Sequence, residues 1–421
     1  MTWSRRKFGA FAGASCIAAL SARAATSQAA ARVVVIGGGI GGATVAKYLA
    51  ASAATIDVTL VEPKQRYTTC FFSSFYLAGL RSLESLTHGY ETLAQQYGVK
   101  VIHDTATVID PVAKVVTLEG GAKLKYDRAV VAPGIAFKYG AIEGYDETAT
   151  QVMPHAWNAG PQTKLLRQQL EGMEDGGIFV IAAPPDPFRC PPGPYERACL
   201  VAYYFKQFKP RAKILILDAK DTFFEQDLFQ DAWNRHYPGM IEWLPSQFTG
   251  GIKSVDVKAR AIKTAGETFN ASVANIIPPQ MAGELAQGAG LADQSGWCPI
   301  DPMTFESKLH PGIHIVGDAI NGGEMPKSAF AANSQAKVCA FAIAAALTGF
   351  ERTAPHLFNT CFTILAPNDV VSDAITFKAV AGSIKINDIF ISQVGEGDEL
   401  RREVAHAAEG WYPAFTHDVF G

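Results

Sequence analysis

Between Arg32 and Glu62 the chain reads as one β-α-β unit whose turn leaves few folds open. Arg32-Val33-Val34-Val35-Ile36 is a short, continuously apolar run, the pattern of a strand buried on both faces. It enters Gly37-Gly38-Gly39-Ile40-Gly41-Gly42, which contains G-x-G-x-x-G at Gly37, Gly39 and Gly42. Ala43 to Ala51 then has helical spacing, and Ile56 to Val61 is a second strand. Glycines so placed permit a tight turn, close approach of a pyrophosphate and tight helix-to-strand packing, while the helix N-terminus supplies amides and positive potential. Glu62 ends the second strand, where an acid accepts hydrogen bonds from a ribose. The predicted class is α/β, opening on a Rossmann-like dinucleotide-binding sheet.

The rest of the chain repeats the alternation. A strand is expected at Val99 to His103, and Ala129 to Gly134 is a strand ending at a turn. A second unit begins at Gly176 to Ile181, with a helix at Glu196 to Lys209 and a strand at Lys213 to Leu217. Ile313 to Asp318 is a strand running into Gly317 and Asp318, followed by a small-residue helix from Ala329 to Leu347. From about Thr353 the pattern becomes short β-prone pieces, then a helix from Glu399 to Trp411. A chain of 421 residues exceeds one ordinary core. The expected division is an export segment at 1–24, a first domain at 25–143, a second Rossmann-like domain at 144–275, a return to the first at 276–350, and a C-terminal α+β interface domain at 351–421. Val316-Gly317-Asp318 and Ala132-Pro133-Gly134 resemble the second cofactor motif and the intervening strand-end motif of two-dinucleotide-domain flavoproteins, favouring FAD over NAD. In the second unit, where NADH needs glycines, the chain reads Ala182-Ala183-Pro184-Pro185-Asp186-Pro187-Phe188. Proline lacks an amide hydrogen and its ring fills space, so this turn is unsuited to a pyrophosphate.

Ser4-Arg5-Arg6-Lys7-Phe8, an apolar stretch to Leu20 and Ala22-Arg23-Ala24 form a twin-arginine export signal with a cleavage site. They predict a mature chain starting near Ala25, located in the periplasm, without a transmembrane anchor. A formal net charge of -3 gives no footprint for nucleic acid. Of seven cysteines, removal of Cys16 leaves six in an oxidising compartment. No C-x-x-C pair is present, so no metal site is expected, and without C-x-x-C-H any haem c must sit on another chain. Cys190 lies in a proline-rich loop opening a helix, a setting that can lower a thiol pKa. Cys361 follows the returning segment and Cys70 follows Glu62; from their surroundings alone, a structural disulfide or a buried thiol is the better reading for each of the three.

Tyr67 to Cys70, Leu83 to Tyr90, Pro187 to Arg197, Trp297-Cys298-Pro299, Val316 to Ala319, Met325 to Ser328, Asn359 to Pro367 and His417 to Gly421 complete a pattern that runs nearly end to end. It resembles the flavoprotein subunit of flavocytochrome c sulfide dehydrogenase, related to sulfide:quinone oxidoreductases and the glutathione reductase fold. The resemblance implies two Rossmann-like domains with a discontinuous FAD domain, FAD joined covalently through Cys70, and a redox disulfide between Cys190 and Cys361. It implies Glu196 as a proton acceptor or donor, its plainer role being a helix-turn carboxylate paired with Arg197 or another base. Gly37, Gly39, Gly42, Glu62, Ala132, Gly134, Gly317, Asp318 and Lys327 would hold the cofactor. Sulfide is the implied substrate and a c-type cytochrome subunit the implied partner. A quinone-reducing relative, a pyridine-nucleotide disulfide reductase and a flavin-bearing relay module with purely structural cysteines are the competing readings.

Overall fold

The computed structural model describes residues 30–421 apart from 53, 352 and 353. The twin-arginine signal, its cleavage site and Cys16 lie outside the described residues.

Apolar β-branched runs without alternation must be covered on both faces, and the first sheet is built from them. Its five parallel strands run in the order Ile313–Ile315, Arg128–Val131, Ala31–Ile36, Ile56–Val61, Lys100–Ile102. Val33 and Val35 are wholly buried, as are Val130 and Ile315. Helices α1 (Ile40–Ala50) and α4 (Ala329–Thr348) pack against each other beside this sheet. By length and composition α4 is apolar enough to cross a membrane, yet 61% of its most apolar 18-residue stretch is buried within the protein. The strand order has one consequence for function. Strands ending at Val316-Gly317-Asp318, Ala132-Pro133-Gly134, the glycine loop and Glu62 are consecutive neighbours, so four motifs separated in sequence by up to 280 residues meet at one sheet edge.

A second parallel sheet orders Ile241–Leu244, Lys213–Asp218, Ile178–Ala183 and Val273–Ile276. Helix α2 (Gly193–Phe208) follows the proline turn, and α3 (Gln226–His236) follows Asp218. Ile135–Phe137 pairs antiparallel with Gln280–Ala282, the ladder by which the chain leaves the first sheet and returns to it.

The C-terminal region departs from the expected short pieces. It is a three-stranded antiparallel sheet of Leu357–Ala366, Asp369–Val380 and Ser383–Ile391, with strands of 10, 12 and 9 residues. The closing helix α5 (Asp398–Phe420) has 23 residues and runs nine beyond the expected end at Trp411. Pro413 is tolerated because the carbonyl it leaves unbonded, that of Glu409, belongs to an exposed residue where water can serve it.

Candidate functional site

The glycine loop is fixed by contacts that only hydrogen permits. A Cβ on Gly42 would lie 1.8 Å from the Gly37 carbonyl oxygen, and one on Gly37, whose φ is +97°, would lie 2.3 Å from that of Ala132. Gly39 differs: its nearest neighbour is Tyr67 at 3.6 Å, so its α-carbon stays open to the cleft. The first intrahelical bond of α1 runs from the Ala43 amide to the Gly39 carbonyl, leaving the amides of Ile40, Gly41 and Gly42 ahead of it without an intrahelical acceptor. Glu62 accepts from the amides of Gly38 at 2.7 Å and Lys64 at 3.0 Å, which orients its carboxylate along the loop.

A cleft of about 540 Å³ opens from this loop. Gly37, Gly39, Glu62, Cys70, Ala132, Gly134, Cys190, Glu196, Gly317, Asp318 and Cys361 all line it. Two expected cofactor contacts do not. Gly42 acts inside the turn, as its contact with Gly37 requires. The Lys327 ammonium donates to the carbonyls of Asp318 at 2.9 Å and Ile320 at 2.7 Å and sits 3.6 Å from the Trp297 ring centroid. Lys327 therefore pins the Asp318 turn, and its carbonyl receives the Cys190 amide at 2.8 Å.

Cys190 takes a left-handed conformation with φ +60°, held by that amide bond and by the Gly193 amide donating to its carbonyl at 2.9 Å. A Cβ on Gly193 would meet the Trp157 ring at 2.8 Å and the Cys190 sulfur at 3.0 Å, so glycine is needed where α2 begins. The expected acidic thiol is not what the site produces. Burial pushes Cys190 up to about 12, the Glu196 carboxylate adds to the rise, and the Arg189 guanidinium opposes it. Cys361 is likewise driven well above the usual thiol range by burial, then by Asp373 and Cys190. Cys70, Cys190 and Cys361 are all free thiols here, each half-buried.

Glu196 is not paired with Arg197. That guanidinium donates to the carbonyls of His155 and Ala156 at 3.0 and 2.8 Å and to Asn275 Oδ1 at 2.8 Å. Glu196 instead accepts from the Ile364 amide at 3.4 Å, and burial lifts its carboxyl to about 7 against the pull of that amide and of Arg197. Arg189, unassigned from sequence, lines the cleft together with Lys64, Arg66 and Arg197. It lies 3.9 Å from Asp318 and donates to Asn158 Oδ1 at 3.0 Å and to the Trp157 carbonyl. Trp157, Thr360, Phe362 and Trp411 also line the cleft. Trp411 comes from α5, and no local pattern connects it with the glycine loop. Cys199, Cys298 and Cys339 are fully buried away from the cleft, Cys199 accepting from Trp233 Nε1 at 3.2 Å.

The residues present fit FAD: an open glycine over unbonded helix amides, an acid at the second strand end, and Gly317-Asp318 at the neighbouring one. The second sheet offers no equivalent. Its strand-end acid, Asp218, is buried and receives Tyr195 Oη, Trp243 Nε1 at 2.9 Å and Lys220 Nζ at 2.7 Å. Lys220 also donates to the Pro184 carbonyl at 2.9 Å. Asp218 is thus committed to internal donors, beside a proline turn, in the place where NADH would require a free ribose acceptor.

Comparison with known proteins agrees with this architecture. Residues 31–169 match the model of pyridine nucleotide-disulphide oxidoreductases, residues 163–278 that of the flavocytochrome c sulfide dehydrogenase flavoprotein chain, central, and residues 353–420 that of flavocytochrome c sulphide dehydrogenase, flavin-binding. A sulfide dehydrogenase [flavocytochrome c] flavoprotein chain from Chlorobaculum thiosulfatiphilum is 60% identical over 43 residues, covering 10% of this chain and 90% of that one. The mitochondrial sulfide:quinone oxidoreductase of Mus musculus is 24% identical over 305 residues, or 69% of this chain, and the match spans 65% of that protein's own length. The sulfide:quinone oxidoreductase structure from Aquifex aeolicus superposes with a TM-score of 0.74 at 20% identity, covering 93% of this chain and 92% of that one. With this fold, and with family matches at both its centre and its C-terminal region, the chain belongs to the flavoprotein-chain family of flavocytochrome c sulfide dehydrogenase.

Proposed function

We propose that this protein oxidises hydrosulfide with FAD and passes the electrons to a c-type cytochrome subunit in the periplasm, reached by the twin-arginine route. The observation that carries the reading is the convergence of Cys70, Cys190, Cys361 and Glu196 on the single cleft into which the glycine loop and Asp318 open. Gly37, Gly39, Glu62, Gly134, Gly317 and Asp318 hold the cofactor, and Cys70 bonds it covalently. Cys190 and Cys361 cycle between dithiol and disulfide. Hydrosulfide attacks the disulfide, forming one S–S bond and breaking another, which leaves a persulfide on one cysteine and a thiolate on the other. Glu196, held near neutrality by burial, takes or returns the proton on the cleft side. Arg189 sits where it steadies a thiolate at Cys190. When bound, FAD supplies the two-electron acceptor that returns the pair to disulfide with release of sulfane sulfur, and then delivers electrons singly to haem c on the partner.

The quinone-reducing character of the mouse relative favours a second reading, in which the same cleft serves a quinone acceptor. Anaerobic addition of sulfide to the purified flavoprotein, followed by oxidised cytochrome c or a short-chain quinone, separates the two. Bleaching of the visible flavin band with cytochrome reduction is the expected result, lost in Cys190→Ser and Cys361→Ser. A band that sulfide leaves unchanged overturns the assignment, and preferential reoxidation by quinone replaces the acceptor.

A further inference from the structure

Behind Cys361 lies a group of acids that the scheme above does not use. Along the strand Leu357–Ala366, Asn359, Cys361 and Thr363 alternate onto one face. Asp373 stands directly opposite Cys361 in the antiparallel register and therefore on the same face. Helices α2 and α3 pack against this strand, α2 bringing Glu196 and α3 opening at Glu225. Asp373 is 3% exposed and accepts from Asn359 Nδ2 at 2.9 Å. Glu225 is stranger. Both its carboxyl oxygens are inaccessible, and the one hydrogen-bonding group that offsets their burial is the wholly buried Thr363 hydroxyl beside it. Burial there disfavours an ionised carboxylate strongly and a protonated carboxyl far less.

We infer that Asp373 and Glu225 form a proton reservoir for the Cys361 sulfur, separate from Glu196 on the cleft side. The inference rests on the dithiol–disulfide cycle proposed above. When the disulfide opens and Cys361 leaves as thiolate, a carboxyl O–H of the pair breaks as the Cys361 S–H forms. The proton returns when the disulfide closes, and no electrons move between the groups. The groups facing Glu225 are Asp373 and Thr363 from the sheet, Glu196 from α2 and Arg401 from α5. Arg401 is committed to Asp369 at 3.3 Å and the Gln393 carbonyl at 2.8 Å. Burial agrees with the placement, lifting Glu225 to about 8 and Asp373 to about 7. Asp373 and Glu225 are also among the charges that raise Cys361.

The test uses holoenzyme reduced with dithiothreitol and pulse-alkylated with iodoacetamide across a range of pH, with Cys361 labelling quantified by peptide mass spectrometry. Glu225→Gln and Asp373→Asn are each expected to move the Cys361 midpoint down by about one pH unit, the order expected from loss of a neighbouring charge in a buried site. Glu225→Asp keeps the wild-type profile. Superimposable profiles for wild type, Glu225→Gln and Asp373→Asn overturn the inference. A second readout needs neither variant to fold: in Glu196→Gln protein, the reduced-minus-oxidised infrared spectrum is expected to lose the C=O band of a protonated carboxyl, and absence of that loss also overturns it. Neither measurement uses sulfide, so an enzyme inert to sulfide would sink the proposed function without deciding this test.

Discussion

Gly39 and Gly42 belong to the same motif but do different physical work, and a single methyl group separates the two roles. In Gly42→Ala the new carbon meets the Gly37 carbonyl at 1.8 Å, so the turn must open. The expected cost is ~3 kcal/mol of stability, within the range for severe overpacking, and is read by chemical denaturation. In Gly39→Ala the backbone, with φ -69°, already suits alanine and the nearest atom is 3.6 Å away. Its apoprotein should unfold within ~1 kcal/mol of wild type while incorporating less flavin, because the methyl occupies space a pyrophosphate needs. Equal denaturation midpoints for the two variants would contradict this division. Local backbone chemistry makes the glycines of the turn legible in this way, whereas the lowered thiol expected for Cys190 from its proline-rich loop is overturned by burial. Arg189, Trp157 and Glu225 are not legible, because their roles depend on which distant side chains surround them. For Lys327, expected to help hold the cofactor, the bonds of its ammonium to the carbonyls of Asp318 and Ile320 are a feature that only the folded turn shows.

At the scale of elements, the α/β alternation carried through because a strand buried on both faces and a helix with a small-residue face leave clear patterns. The C-terminal region lacked them. Its strand Ser383–Ile391 is exposed along most of its length, and α5 carries a proline, so strand lengths and helix end followed from packing instead. What fixes the end of α5 is Asp418. Its carboxylate receives Tyr48 Oη at 2.8 Å, Asn333 Nδ2 at 2.9 Å and Lys337 Nζ at 2.9 Å, tying the helix to both α1 and α4. Lys47 adds bonds to the carbonyls of His417 and Asp418 at 3.1 and 3.0 Å. Burial raises the Asp418 carboxyl, but the bonds from Lys337, Tyr48 and Asn333 outweigh it and hold it below the usual range. Its stabilisation is therefore present above pH 3.8 and lost as pH falls through its lower folded value. Since the site is half-exposed, Asp418→Asn should cost only ~1 kcal/mol at neutral pH. Thermal unfolding at pH 7 and in acid checks this: a deficit that does not shrink toward low pH would assign the loss to packing rather than charge.

For the whole molecule, the same burial that shapes the site sets how stability responds to pH. Glu196, Asp373 and Glu225 have ordinary values of 4.5, 3.8 and 4.5 and are lifted to about 7, 7 and 8. Between those limits the folded chain holds protons that the unfolded chain has released, so each group makes stability fall as pH rises, by about 1.4 kcal/mol per pH unit at most. Three histidines act in the opposite sense. Burial lowers His88 and His314 and takes His155 down to about 3, so below 6.5 the unfolded chain is the one that binds the extra protons. Below pH 6.5 the two sets oppose each other, so the stability curve is expected to be shallower there than either set alone would make it. Above 6.5 the contribution of the histidines fades as the unfolded chain releases their protons, and the three carboxyls dominate. Stability should therefore decline from pH 6.5 to about 8, with Glu225 the last of the three to lose its proton. Denaturation of wild type across this range measures the slope. Glu225→Gln, which cannot ionise, should reduce the decline most between pH 7 and 8, where Glu225 is the last of the three still holding its proton; an unchanged slope there would mean that Glu225 is already ionised in the folded chain.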